Sequence, residues 1–176
     1  MADTLIREER TDLIGHSEAV LSADRAYRYL LVRRWATGGP TLVMVMLNPS
    51  TADATTDDPT CRRCVSLAHR EGCHALEVVN LFGLRSPYPK ALLAHPDPVG
   101  PRNDKFIEEH CLPGRLVVAA WGARGDLMGR DATVTAALTA RGVALHCLGL
   151  THGGKPRHPL YVPARQPLVL CGGAAR

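Results

Sequence analysis

At 176 residues, 45% of them hydrophobic and 22% charged, the chain has the size of one domain, residues 1–176, with enough apolar material for a real core. Its formal net charge of +4 is compatible with a polyanionic partner without requiring one. No stretch approaches a membrane span and the start, MADTLIREERTDLIG, has no apolar core of signal-peptide length. A cytoplasmic location with no membrane contact is therefore expected, with the six cysteines reduced rather than bridged.

Residues 1–25 are polar and read as an irregular or helical lead-in. Residues 26–35, AYRYLLVRRW, alternate like a strand, and Ala36-Thr37-Gly38-Gly39-Pro40 reads as a turn. That pattern predicts antiparallel pairing with the strand over Leu42–Leu47. The run Val43–Leu47 is apolar throughout, as in a central strand covered on both faces, and stops at Asn48-Pro49-Ser50. Pro49 keeps Asn48 out of the helical region, so its amide is presented from extended backbone. A loop, Thr51–Pro59, carries Asp53, Asp57 and Asp58, and Asp58-Pro59-Thr60 signals the start of a helix to Arg70. Cys61 and Cys64 fall on one face of that helix, which accounts for their spacing without a metal.

A second strand is expected over Ala75–Phe82, broken near its end by the polar Asn80, followed by a loop with Arg85 and a short helix into Leu93. Asn103–His110 and Arg130–Arg141 read as helices, Arg115–Ala120 and Val143–Leu148 as strands. Strands alternating with helices indicate an α/β fold with a parallel, doubly wound sheet. Right-handed crossovers then bring the strand ends to one edge, where ligands of open α/β sheets sit. That edge would carry Asn48, Asn80, Arg85, Trp121, Arg157 and His158. Amides offer both a donor and an acceptor, which suits reading the edge of a nucleobase.

Five blocks fall in order: Leu47-Asn48-Pro49-Ser50-Thr51-Ala52-Asp53, Asp57-Asp58-Pro59-Thr60, Val79-Asn80-Leu81-Phe82, Ala120-Trp121-Gly122 and Pro156-Arg157-His158-Pro159-Leu160-Tyr161. On them the chain resembles, over most of its length, a bacterial domain-of-unknown-function family (number 1643). More distantly the same blocks look like the uracil-DNA glycosylase superfamily. That likeness implies a three-layer α/β/α sandwich with a mainly parallel sheet. It gives Asn48 a water-positioning role, places Asn80 where an amide reads the base, and sets His158-Pro159-Leu160 in a late loop that stabilises the leaving base. Met44 and Ser50 stand where that superfamily's first motif has glycines. Phe82 and Trp121 are the candidate rings to stack on a base.

The chemistry so implied is hydrolysis of the N-glycosidic bond of a modified or damaged base. Its transition state puts positive charge on the sugar and negative charge on the departing base. Asn48, Asp53, Asp57 and His158 are the expected catalytic groups: an acceptor or carboxylate to orient water, and a donor near the base. Leu47, Ser50, Asn80, Phe82, Arg85, Trp121 and Arg157 are the expected substrate contacts, the arginines for phosphates. No cofactor, metal or obligate protein partner is implied, and the expected partner is nucleic acid, DNA ahead of RNA. The alternatives are a non-catalytic binding module for a nucleotide or modified nucleic acid, and a hydrolase of small nucleosides or nucleotides.

Overall fold

The structure, a computed structural model, describes residues 4–172; residues 1–3 of the expected lead-in lie outside the described residues. In chain order the elements are β1 (Leu5–Thr11), β2 (His16–Ser22), β3 (Arg28–Arg34), β4 (Thr41–Met46), α1 (Pro59–Arg70), β5 (Ala75–Asn80), α2 (Ala91–Ala94), α3 (Asn103–His110), β6 (Leu116–Ala119), α4 (Arg130–Ala140), β7 (Leu145–Cys147) and β8 (Val169–Leu170). The strands form one sheet in the order β1-β2-β3-β5-β4-β6-β7-β8.

This corrects the expected fold class. Only β5, β4, β6 and β7 run parallel; the joints β1-β2, β2-β3, β3-β5 and β7-β8 are antiparallel. The architecture is a mixed eight-stranded sheet with few helices, 24% of residues against 27% in strands, not a three-layer α/β/α sandwich with a mainly parallel sheet. The difference arises at the N-terminus, where the expected lead-in is a pair of strands. Asp12 Oδ1 accepts the amides of Ile14 (2.9 Å) and Gly15 (3.3 Å) and so turns β1 into β2. β2 buries Ala19, Val20 and Leu21 completely, whereas most of β1 is exposed, so its sequence lacks the apolar alternation of a covered strand.

The expected pairing of β3 with β4 is also replaced. Both neighbours of β4 are parallel partners, β5 and β6, and β3 lies antiparallel to β5 with Leu31 opposite Val78. The connection from β3 to β4 passes the start of β5, held by Trp35 N–H to His74 O (3.1 Å) and His74 N–H to Pro40 O (2.8 Å).

β4 is apolar on both faces because each face has its own core. Val43 and Val45 pack with Val79, Val117, Phe106, Ile107, Val134 and Leu138 on the side of α3 and α4. Leu42, Met44 and Met46 pack with Leu76, Val118, Cys61, Cys64 and Leu67 on the side of α1. α1 starts as its sequence dictates: Asp58 Oδ1 accepts the Cys61 amide (2.7 Å) and Pro59 occupies the first turn. The chain leaves β4 to form β5 on one side and β6 on the other, so the carboxyl end of β4 is the switch point of the parallel segment. No helix among the described residues is long and apolar enough to cross a membrane.

Candidate functional site

At that switch point lies a cavity of about 570 Å³, within the range of small-molecule sites. The end of β4 contributes Leu47, Asn48 and Ser50, the end of β5 contributes Asn80, the segment after β6 contributes Trp121 and Gly122, and the late loop contributes Arg157, His158 and Tyr161. Segments more than 100 residues apart in sequence thus meet at one opening. The neighbouring strand ends stay zipped beyond the sheet: Leu81 N–H donates to Met46 O (2.9 Å), Phe82 N–H to Leu47 O (3.0 Å), and Gly122 N–H to Pro156 O (2.9 Å). Gly122 takes a positive φ of 76°, which lets the chain turn away after Trp121.

Asn48 is held from one side. Its Nδ2 donates to Ser86 O (2.9 Å), Pro49 O (3.0 Å) and Leu84 O (3.4 Å). The amide hydrogens are therefore spent on the loop, which leaves Oδ1 as the group that can accept from a ligand or water. Asn80 is the opposite case. It is 1% exposed, and its Nδ2 is buried without an acceptor among the described residues.

His158 Nδ1 accepts the Leu160 amide at 3.3 Å, which places the proton of the neutral ring on Nε2 and makes that atom a donor. Burial pushes the imidazole below its ordinary value of 6.5, partly offset by the charge of Asp58. The folded chain thus favours the neutral ring. This stabilisation is complete above about pH 6.5 and is lost as the pH falls through the lower folded value. His158→Gln should therefore lose less stability than the parent chain between about pH 7.5 and about pH 5, as read by urea unfolding; equal losses would contradict it.

Two residues that the sequence reading did not place in the site complete it. Asp58, expected only as a helix cap, also lines the cavity. Arg28 lines it as well, at 4% exposure. Its Nη1 donates to the Ala52 carbonyl, while Nε has no acceptor among the described residues. Burial lowers the guanidinium to about 10, with Asp58 the main charge opposing that shift, so Arg28 stays protonated at neutral pH. The available signal was an arginine set between tyrosines just before the apolar run Leu30–Val32, since charges are seldom fully buried unless paired.

Four expected site residues stand elsewhere. Asp53 Oδ1 accepts from the Thr55 amide (2.8 Å), the Thr55 hydroxyl (2.9 Å) and the Thr56 amide (2.9 Å). Burial works to raise its pKa, but these bonds outweigh it and hold the carboxyl below its ordinary value. It shapes a turn. Asp57 Oδ1 accepts from Arg33 Nε (2.9 Å) and Nη2 (2.8 Å), so its charge is committed to the loop. Phe82 is wholly buried in the core with Phe106 and Val79 and does not line the cavity. Arg85 does not line the cavity; it follows β5 on the strand side facing Arg25, whose carbonyl its Nη1 approaches at 3.5 Å.

Trp121 is the ring of the expected pair that reaches the cavity, 4% exposed, with Nε1 buried and without an acceptor among the described residues. Gly125 lies directly against it: a Cβ there would sit 2.0 Å from indole Cδ1. Gly125→Ala is thus expected to cost roughly 1–3 kcal/mol by overpacking and to shift the tryptophan emission. Unchanged stability and spectrum would show that the ring is not held where described.

Among the described residues no group of three or more His, Cys, Asp or Glu side chains is placed to hold a metal ion. Cys61 and Cys64 are buried thiols on the face of α1 that meets the sheet. Burial raises both, Cys61 to about 12, which leaves them protonated and inert. No curated protein and no solved structure matches the chain. A family model described as protein of unknown function (DUF1643) matches residues 28–160, and the chain belongs to that family.

Proposed function

We propose that the chain is an N-glycosidic hydrolase acting on a substrate that carries a nucleobase. The observation that carries the reading is the meeting of Asn48, Asn80 and His158, from three separate segments, around one cavity. Together they supply two complementary functions. Asn48 Oδ1 accepts from the attacking water, and Asp58, which lines the same cavity, takes the proton that water loses. Asn80 Nδ2 and His158 Nε2 donate to acceptors of the base, where negative charge builds as the bond breaks. The C1′–N bond cleaves with its electron pair leaving on the base, and the water oxygen bonds to C1′. The departing base takes its proton from solvent or through the His158 hydrogen bond. Trp121 provides an aromatic wall, and the exposed Arg124 and Arg157 at the cavity give the mouth a positive field that attracts phosphates.

The test is to incubate the protein with nucleosides, nucleotides and oligonucleotides bearing unmodified and modified bases, and to measure released free base by chromatography. Free base with an equal amount of abasic sugar is the expected result. Tight binding with no bond cleaved across the panel would overturn the hydrolase and leave a binding module.

A further inference from the structure

Among the described residues, six buried side-chain polar atoms have no protein partner, and three of them, Arg28 Nε, Asn80 Nδ2 and Trp121 Nε1, belong to side chains that line the cavity, whereas those of Arg85, Asn103 and His146 lie elsewhere. The three cavity residues are 4%, 1% and 4% exposed. Each of their unmatched atoms is a donor. A cavity lined by unmatched donors complements a ligand rich in acceptors. Buried donors without acceptors are costly in a native fold, so a ligand that supplies them gains accordingly.

Arg28 narrows the class further. Asn80 and Trp121 are neutral, and a base carbonyl or ring nitrogen suffices for either. A guanidinium removed from water needs a full negative charge to offset its desolvation. The bond its Nη1 makes within the protein is to a neutral carbonyl, that of Ala52. Asp58 is also shared: it caps α1 through the Cys61 amide and acts electrostatically on His158 as well as on Arg28. Arginine presents its donors in a planar fork that matches the oxygens of a phosphate. When an enzyme turns a base out of a polymer, the base enters the pocket while the flanking phosphates stay along the strand. A buried guanidinium inside the cavity fits a phosphate that enters with its base, and the volume accommodates a ligand of mononucleotide size.

We infer that Arg28 receives a phosphate monoester inside the cavity, so that the substrate is a free nucleoside monophosphate rather than a base within a polymer. This rests on the reading of the cavity as a nucleobase site. Calorimetric titration of the wild-type protein with nucleoside 5′-monophosphates, the matching nucleosides, a single-stranded oligonucleotide and inorganic phosphate tests it. The best monophosphate should bind roughly 10–100-fold more tightly than its nucleoside, as a charge-assisted bond implies, and inorganic phosphate should compete with it. Arg28→Gln should remove the preference, and Arg28→Lys should keep part of it. Equal affinity for monophosphate and nucleoside, or a monophosphate that phosphate does not displace, would overturn the inference. The wild-type competition decides even if Arg28→Gln fails to fold. The two readings fail separately: monophosphate binding without release of base sinks the hydrolase and leaves the phosphate site. Base release from oligonucleotides with no preference for monophosphates does the reverse.

Discussion

Asn48→Ala is expected to lower the rate of base release by on the order of 100-fold or more, the range typical of a lost general acid–base or water-positioning group. It should also cost about 1–3 kcal/mol of stability, because three carbonyls lose their donor. Both effects follow from one side chain used in two directions. Nδ2 ties Pro49, Leu84 and Ser86 together, which fixes the loops after β4 and β5 against each other, and Oδ1 remains for the water. Rates at saturating substrate, together with urea midpoints, separate the two. A folded variant with full turnover removes Asn48 from the mechanism. Unchanged stability contradicts the bonding of the amide.

The second large effect is structural. Arg33→Ala should cost roughly 1.5–3 kcal/mol, the range for hydrogen bonds to charged groups, because Asp57, with its side chain 34% exposed, stays partly hydrated when its partner is removed. Arg33 is 8% exposed and organises the loop between β4 and α1. Its Nε and Nη2 pair with Asp57, Nη2 also reaches the carbonyls of Asp53 and Thr56, and Nη1 donates to Val32 O. Truncation leaves a carboxylate and several carbonyls without their donor, in the loop that carries Asp58 to the cavity. Urea unfolding measures the loss; a change below about 1 kcal/mol, the scale of a surface pair, would show that the loop is held by something else.

The central strand and the polar residues at its end were legible because their signals are local. An unbroken apolar run marks a strand covered on both faces, and β4 has a separate core on each side. Asp58-Pro59 marks a capped helix, and α1 starts there; α3 runs over Asn103–His110, as its pattern predicts. The N-terminal strands were hidden for a physical reason: β1 is an edge strand with few buried positions, so polarity masked it, and with it the antiparallel half of the sheet. The insertion of β5 between β3 and β4 depends on distant pairings that a turn signal at Gly38-Gly39 does not report.

The site shows the same division. Residues at strand ends, such as Asn48 and Asn80, could be placed from the chain's rhythm, whereas the work of a loop carboxylate depends on its partner. Asp53, Asp57 and Asp58 look alike in sequence, and only folding assigns one to a turn, one to Arg33 and one to the cavity. Arg28 was missed because it is the first residue of β3, and only the antiparallel pairing of β3 with β5 brings that start beside the carboxyl ends of the parallel strands. Phe82 was misread in the opposite sense: two residues after Asn80, it is buried in the core.

A crystal of the protein with its released base tests most directly whether these segments form one working site. The base is expected in this cavity, with an acceptor atom within hydrogen-bonding distance of Asn80 Nδ2 and another within reach of His158 Nε2. A base bound elsewhere, or bound here with both atoms out of contact, would contradict it.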